Sequence, residues 1–192
     1  IRDVTYGGPY SPKKNTFYKM DEGSTGGKAG WGYSTNALNY IIMRYADVLL
    51  MAAEAEIETG GLAQARTYIN LVRERAGKFA PSNTAPYYQA ESAATYATYN
   101  VGLYAAFASA DEARKAVRFE RKLELGMEGH RFFDLVRWGI AATDLNAYLT
   151  KEGVRRPTTL QNTQFKPGVH EYYPIPTGVV TNIPGITQNP GY

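Results

Sequence analysis

A highly charged stretch at residues 118–139 constrains the fold of this chain more than any other part of the sequence. Three glutamates recur at four-residue steps beside an apolar series at three- and four-residue steps, which predicts one amphipathic helix. Like charges at that spacing repel one another, so glutamates at the edge of a core need cations nearby. The glutamates are Glu120, Glu124 and Glu128, and the apolar residues are Ala116, Phe119, Leu123 and Met127.

A second amphipathic run follows the charged helix. Gly126 and Gly129 weaken the helix near its end, and a new run begins at His130 and extends to about residue 149, weakened at Gly139. Its charged face carries Arg131, Asp134 and Arg137. We interpret the whole as an acidic ridge that meets a guanidinium ridge at a corner between two helices.

The clearest helix is predicted at residues 40–59, with Asn39 as its N-cap. Its apolar residues cover more than half of the helix circumference, so the helix should be largely buried. The face expected to be buried carries Ile41, Tyr45, Val48, Leu49 and Ala52.

Three charged residues of this helix would then lie in or at the edge of a core, where they must be paired. Arg44 and Asp47 are three residues apart and can pair with each other. Glu54 needs a partner from elsewhere in the chain.

Gly60 and Gly61 end this helix, and a second helix is predicted at residues 62–76. Two helices joined by so short a turn form an antiparallel hairpin, and their span and small residues suit a tetratricopeptide-like unit. The strict signature of that repeat is absent. The predicted fold is mainly α, with tetratricopeptide-like helix-turn-helix pairs, long aromatic-rich loops and a proline-rich tail.

The remaining segments are predicted to be loops around these helices. Residues 1–39 are loop-rich, residues 78–108 form a variable tyrosine-rich segment, and residues 150–192 form a proline-rich tail that wraps the helices, with a short edge strand possible at residues 171–175. Residues 40–77 form the helical hairpin. Residues 109–149 form a helix pair that starts at a capping box of Ser109 and Glu112.

Composition excludes several classes of function. The chain has no cysteine, which removes disulfides, thiol catalysis and cysteine-ligated zinc. Its two histidines, His130 and His170, have no partner at ligand spacing, so we predict neither a metal nor a cofactor. Net charge is only +3, and basic and acidic residues are interleaved, which argues against a nucleic-acid partner.

The carboxylates of the charged stretch could in principle serve as the acid and base of a glycoside hydrolase. Each of them, including Asp134, has a cationic neighbour at helical spacing, however, and cation pairing lowers a carboxyl pKa. A lowered pKa is unsuited to a general acid, so the sequence predicts no catalytic residue.

Aromatic residues are the better candidates for ligand binding. The chain has 16 tyrosines against 7 phenylalanines, and most of the tyrosines lie outside the predicted helices. Rings with polar tips in loops suit sugars, which they bind by stacking and hydrogen bonding. We therefore predict ligand contacts at Trp31, Tyr33, Tyr87, Tyr88, Tyr96 and Tyr99.

Four motifs follow one another in this chain: RYADVLLMAAEAEIETGG with ARTYINLVRERAG, then RFERKLELGMEGHRFFDLVRWG, then YYPIP, and the closing QNPGY. In this order they resemble the C-terminal part of the SusD/RagB family. Residues that match the family's charged motifs are read as a structural charge network. They are Arg44, Asp47, Glu54, Glu120, Glu124, Arg131, Asp134 and Arg137. Arg121, Gly129 and Trp138 match the family's motif as well.

The resemblance implies a non-enzymatic protein of the bacterial outer membrane that captures an oligosaccharide, or in some members a peptide, at the cell surface. The ligand would pass to a SusC-like TonB-dependent transporter. Family members are longer and carry a lipid anchor, so this chain resembles the C-terminal portion of such a protein, completed by an N-terminal half. We also predict that Glu54 pairs with an arginine of the second motif.

Two alternatives remain open from the sequence. One is a helical-repeat module that binds a protein or peptide through its aromatic loops. The other is a glycoside hydrolase, which would require two carboxylates across a cleft and measurable bond cleavage.

Overall fold

The structure is a computed structural model that describes Lys14, residues 41–77 and residues 101–192. Over these residues it is built from helices and connecting segments, and it contains no strand. The chain divides into two compact units, Ile1–Glu128 and Gly129–Tyr192. The mainly α fold class is therefore confirmed for the described residues, while the tetratricopeptide-like character stays a prediction.

Three helices share one core in the described part of the first unit. Helix α1 is Tyr45–Thr59, α2 is Leu62–Gly77 and α3 is Ala110–Glu124. Gly60 ends α1 in the left-handed region at φ 89°, and the Gly61 N–H donates to the Glu56 carbonyl at 2.7 Å, which turns the chain into α2.

All three helices bury small and branched apolar residues against one another. The fully buried residues are Leu50, Ala53, Ile57, Ala65, Ile69, Val72, Ala113 and Val117. Their close packing holds the three helices, and the charged residues that they carry, in fixed positions.

Helix α3 begins at the capping box that the sequence predicts. The Ser109 hydroxyl accepts the Glu112 N–H at 3.2 Å, while the Glu112 carboxylate accepts the Ala108 N–H at 2.7 Å. Both bonds satisfy backbone donors that a helix start would otherwise leave without partners.

The buried faces of α1 and α3 differ from the predicted ones. Tyr45 of α1 is 73% exposed, and Phe119 and Leu123 of α3 are more than half exposed. On α3 the buried residues include Glu120 and Arg121 instead, because these two charges are paired inside the unit. Of the apolar series only Ala116 is buried, whereas the side chains of all three glutamates are buried.

Three helix boundaries also differ from the prediction. Helix α1 begins at Tyr45 rather than residue 40, since Arg44 is extended at φ −139° and serves as the N-cap. Asn39 lies outside the described residues. The run after His130 is two helices, α4 (Arg131–Arg137) and α5 (Ala141–Arg155), because Gly139 at φ 68° ends the first.

The second unit packs α4 and α5 around Leu135, Ala141 and Phe165. The Asn146 side chain of α5 holds the backbone of Phe165 from both sides, donating to its carbonyl at 3.1 Å and accepting its N–H at 2.7 Å. These two hydrogen bonds fix the backbone of Phe165 beside α5.

The C-terminal tail is more regular than predicted, with α6 (Pro157–Leu160) and α7 (Thr177–Asn182). Residues 171–175 form no strand. Gln188 exchanges two hydrogen bonds with the backbone of Ile175, and the Tyr192 hydroxyl donates to the Tyr172 carbonyl at 2.8 Å. These side-chain bonds replace the strand pairing that proline disfavours.

Candidate functional site

The Arg44 guanidinium binds Glu124 and Glu128 at the C-terminal end of α3, and we call this arrangement the Arg44 clamp. The Arg44 Nε donates to the Glu128 Oε2 at 2.9 Å, and Nη2 donates to the Glu128 Oε1 at 2.9 Å. The same guanidinium bonds the Glu124 carboxylate through Nη1 and the Glu124 carbonyl at 2.5 Å through Nη2. Only a planar guanidinium can satisfy two carboxylates in this forked manner.

Two further cations complete this cluster. Arg75 of α2 reaches the Glu124 carboxylate at 2.6 Å, and Lys14 reaches the Glu128 carboxylate at 2.6 Å. Lys14 also bonds the carbonyls of Glu124 and Gly126 at 2.5 and 3.1 Å. Cations at this position neutralise both the glutamates and the negative end of the helix dipole.

The third glutamate of the series has its own partner. Arg73 donates to the Glu120 carboxylate at 2.7 Å and to the Gly102 carbonyl at 2.6 Å. Its guanidinium lies 4.6 Å from the ring centre of Tyr104, a cation–π contact. Arg73 therefore joins α2, α3 and the segment at residues 101–104.

A buried ion pair joins α1 to α3. Arg121 donates to Asp47 at 2.7 Å, and the two side chains are 3% and 5% exposed. The local pair of Arg44 with Asp47 that the sequence suggests does not form. Each of these two residues instead pairs across the helix interface, where a salt bridge is shielded from water.

Two later arginines of the second motif, Arg131 and Arg137, have carboxylate partners in the second unit. Arg131 donates to Asp144 at 2.8 Å, and Arg137 lies 2.9 Å from Asp134. The Arg137 guanidinium lies 4.9 Å from the ring centre of Trp138. The corner between an acidic and a guanidinium ridge stays a prediction, as does the pairing of Glu54 with an arginine of this motif.

The six predicted ligand contacts lie outside the described residues, so they stay predictions. They are Trp31, Tyr33, Tyr87, Tyr88, Tyr96 and Tyr99. Over the residues that the structure does describe, no group of three or more metal-ligating side chains is close enough to hold a metal ion.

Burial and cation pairing act in opposite directions on the glutamates. Burial raises the pKa of Glu120, and the hydrogen bond from Arg73 only partly offsets it. Burial also acts to raise the pKa of Glu128, but hydrogen bonds from Arg44 and Lys14 outweigh it and leave that pKa below its ordinary value. The expected lowering by cation pairing thus fails at Glu120, where desolvation dominates.

These opposite shifts predict opposite pH dependences of stability. A lowered folded-state pKa means that Glu128 stabilises the protein above the ordinary value of 4.5 and that this contribution is lost as pH falls through the lowered pKa. A raised pKa means that the contribution of Glu120 is present at low pH and is lost as pH rises through the raised pKa.

We therefore expect the stability difference between the native protein and Glu128→Gln to shrink on acidification below 4.5. The matched variant Glu120→Gln, at an equally buried position, should show the reverse trend, with the native protein gaining relative to it. Urea unfolding at a series of pH values measures both. Parallel pH profiles for the two variants would contradict the assignment.

The sequence does not reveal which cations complete the network. Arg73 and Arg75 lie at the end of α2, and their pairing follows only from the packing of α2 against α3. One sequence feature does point to Arg73. It follows Val72, which belongs to the buried face of α2, so the apolar stem of the Arg73 side chain lies at the helix interface. No feature of the sequence around Lys14 indicates its pairing with Glu128.

The geometry defines a helical scaffold whose buried charges connect its elements. The sequence profile of the SusD family matches residues 1–192, so the chain belongs to the SusD family. A SusD-like protein of Formosa agariphila is 38% identical over 140 residues, which cover 67% of this chain and 23% of that relative. A second SusD-like protein of the same bacterium is 38% identical over 58% of this chain and 19% of its own length.

Solved structures agree with this assignment. A SusD homolog from Bacteroides thetaiotaomicron is 33% identical with a TM-score of 0.63, over 83% of this chain and 28% of that one. A SusD superfamily protein from Bacteroides vulgatus is 28% identical with a TM-score of 0.55, over 78% of this chain and 27% of that one. The chain spans between 19% and 28% of the length of these relatives and structures.

Proposed function

We propose that this chain is part of a protein that captures an oligosaccharide or polysaccharide at the bacterial cell surface for import, without cleaving it. The observation that carries the proposal is membership of the SusD family over residues 1–192. A SusC-like TonB-dependent transporter of the outer membrane would receive the glycan, and a lipid anchor would hold the whole protein at that membrane. In the part that the structure describes, no helix is both long and apolar enough to cross a membrane.

The burial of the carboxylates and their pairing with cations support capture rather than hydrolysis. The side chains of Glu120, Glu124 and Glu128 are only 4–7% exposed, and each is bonded to at least one cation. A glycosidic bond could not reach them without breaking the contacts between α3 and its neighbours. Glycoside hydrolysis needs two accessible carboxyl groups across a cleft, which this cluster does not provide.

Binding and cleavage are tested together on a panel of soluble polysaccharides. Retardation of the protein in an affinity gel reports binding, and release of reducing ends reports cleavage. We expect retardation by at least one glycan without release. Release of reducing ends would contradict the proposal and return Asp134 and the three glutamates to consideration as catalytic groups.

Failure to bind any glycan would also count against capture by this chain. The same panel repeated with short peptides then separates the alternative, a helical module that binds a peptide. Retention of a peptide and no glycan would establish that alternative.

The aromatic residues predicted from the sequence supply the contacts in this proposal. Alanine substitution at Trp31, which offers the largest ring, is expected to weaken binding of the retained glycan about tenfold through loss of stacking. Isothermal titration calorimetry measures the change. Unaltered affinity after alanine substitution at all six predicted positions would refute this part of the proposal.

A further inference from the structure

A cleft in the second unit lies between α5, α6 and the segment that follows them. Its volume is about 570 Å³, within the range of small-molecule sites. Thr150 and residues 161–164 contribute its polar lining, and Leu149, Val154 and Leu160 contribute apolar surface. All of these residues belong to one compact unit.

The lining contains hydrogen-bonding groups but no charge. Among the residues that line the cleft, none is acidic or basic, so a charged ligand group would be desolvated there without a counter-charge. Amide and hydroxyl side chains both donate and accept hydrogen bonds, as sugar hydroxyls do. The apolar side chains offer surface to the C–H groups of a sugar ring.

Three amide side chains on one side of the cleft are available for hydrogen bonding, and their backbone is anchored at one end. The side chains of Gln161, Asn162 and Gln164 are exposed and make no hydrogen bond to any described residue. Their backbone is held at its end by the clamp of Asn146 on Phe165, two hydrogen bonds of 2.7 and 3.1 Å. Binding therefore costs little backbone freedom next to Phe165, while each amide side chain that is immobilised loses rotamer freedom.

Two backbone features shape this wall. Asn162 adopts φ 64°, a left-handed conformation that asparagine tolerates better than most residues. At Gly153 an added Cβ would lie 3.3 Å from the Leu160 carbonyl oxygen, so the glycine lets α6 approach α5 closely. Asn162 and Gly153 therefore belong to the lining of the cleft at points where the backbone conformation is unusual or the approach is close.

We propose that this cleft is a subsite for a short neutral oligosaccharide, bound through the amides of Gln161, Asn162 and Gln164. The inference rests on the proposed capture of glycans and adds a site apart from the predicted aromatic contacts. Because no acidic or basic residue lines the cleft, the subsite should bind neutral sugars in preference to uronic acids and sulfated sugars.

Side-chain amide signals test the subsite directly. The chain labelled with nitrogen-15 is titrated with neutral trisaccharides of glucose, xylose, galactose or mannose. We expect the NH₂ signals of Gln161, Asn162 and Gln164 to shift with one saturation curve. The NH₂ signal of Gln64, an exposed glutamine on α2 in the other unit, should stay unchanged.

Substitutions then measure the contribution of the wall. The double variant Gln161→Ala/Gln164→Ala should weaken trisaccharide binding about tenfold, since two hydrogen bonds are removed. Asn162→Gly removes the amide but keeps the left-handed backbone, and it should weaken binding to a smaller extent. Gln64→Ala is the matched control and should bind as the native chain does.

The outcomes separate this inference from the proposed function. Glycan binding that leaves the cleft signals and the double variant unaffected would overturn the subsite and leave glycan capture standing. No binding of any polysaccharide or trisaccharide would overturn both. Shifts of the cleft signals by N-acetyl-trialanine amide but by no sugar would overturn the subsite in favour of a peptide site.

Discussion

Replacing Arg121 by methionine is expected to lower the free energy of unfolding by about 3–5 kcal/mol, the range for breaking one side of a buried ion pair. The loss arises because Asp47, only 5% exposed, would keep its charge without the guanidinium that now lies 2.7 Å away. Urea unfolding followed by circular dichroism measures the difference. An Arg121→Met variant as stable as the native protein would contradict the assignment of this pair.

The double variant Asp47→Leu/Arg121→Met is the matched control. Apolar residues of suitable volume often replace a buried ion pair with little loss, because no charge then has to be desolvated. The double variant should therefore be more stable than Arg121→Met alone. A double variant less stable than the single one would mean that Arg121 acts mainly through its other contacts.

Replacing Arg44 by methionine is expected to cost about 2–4 kcal/mol, somewhat less than a fully unpaired buried charge. The variant leaves Glu124 and Glu128 facing each other, with Arg75 and Lys14 as their remaining cations. Repulsion between two carboxylates at the end of α3 should also loosen the following turn. Thermal and urea unfolding measure the change in stability.

Two variants show whether the forked geometry matters. Arg44→Lys keeps the charge but cannot bond both carboxylates at once, so its stability should lie between those of the native protein and Arg44→Met. Arg114→Met removes a partly exposed arginine from its pairs with Glu58 and Asp111, and it should cost less stability than Arg44→Met because both of those carboxylates are exposed to water. Equal losses for Arg44→Met and Arg114→Met would contradict the special role of the clamp.

The sequence predicted most of the helical framework because its signals are local. The turn at Gly60 and the capping box of Ser109 and Glu112 are each specified by residues a few positions apart, and both are present in the structure. The break at Gly139 was underestimated, since the pattern indicated only a weakened helix. A positive φ at that residue ends the helix fully.

The buried face of α3 could not be predicted from periodicity alone. Two stripes run along this helix, and hydrophobicity favours the one that carries Phe119 and Leu123. The structure buries the stripe of Glu120 because Arg73 of α2 is positioned to pair with it. Which stripe is buried depends on the neighbouring helix, and this information lies 47 residues away in the chain.

The candidate sites differ in how visible they are in the sequence. The need of the glutamates for cations follows from charge spacing, whereas the identity of each cation follows only from helix packing. The cleft beside α5 has no sequence pattern, since residues 161–164 look like an ordinary polar loop. The cleft depends on the packing of that loop near α5, where Asn146 holds Phe165 through two hydrogen bonds.

The central claim is that the buried charges hold the helices together while the glycan is bound elsewhere. The most direct test is isothermal titration calorimetry of the polysaccharide retained in the affinity gel with native protein and with Arg44→Lys, under conditions where both are folded. We predict equal affinities and a lower unfolding free energy for Arg44→Lys. Lost affinity at unchanged stability would contradict the claim and place Arg44 in the binding site.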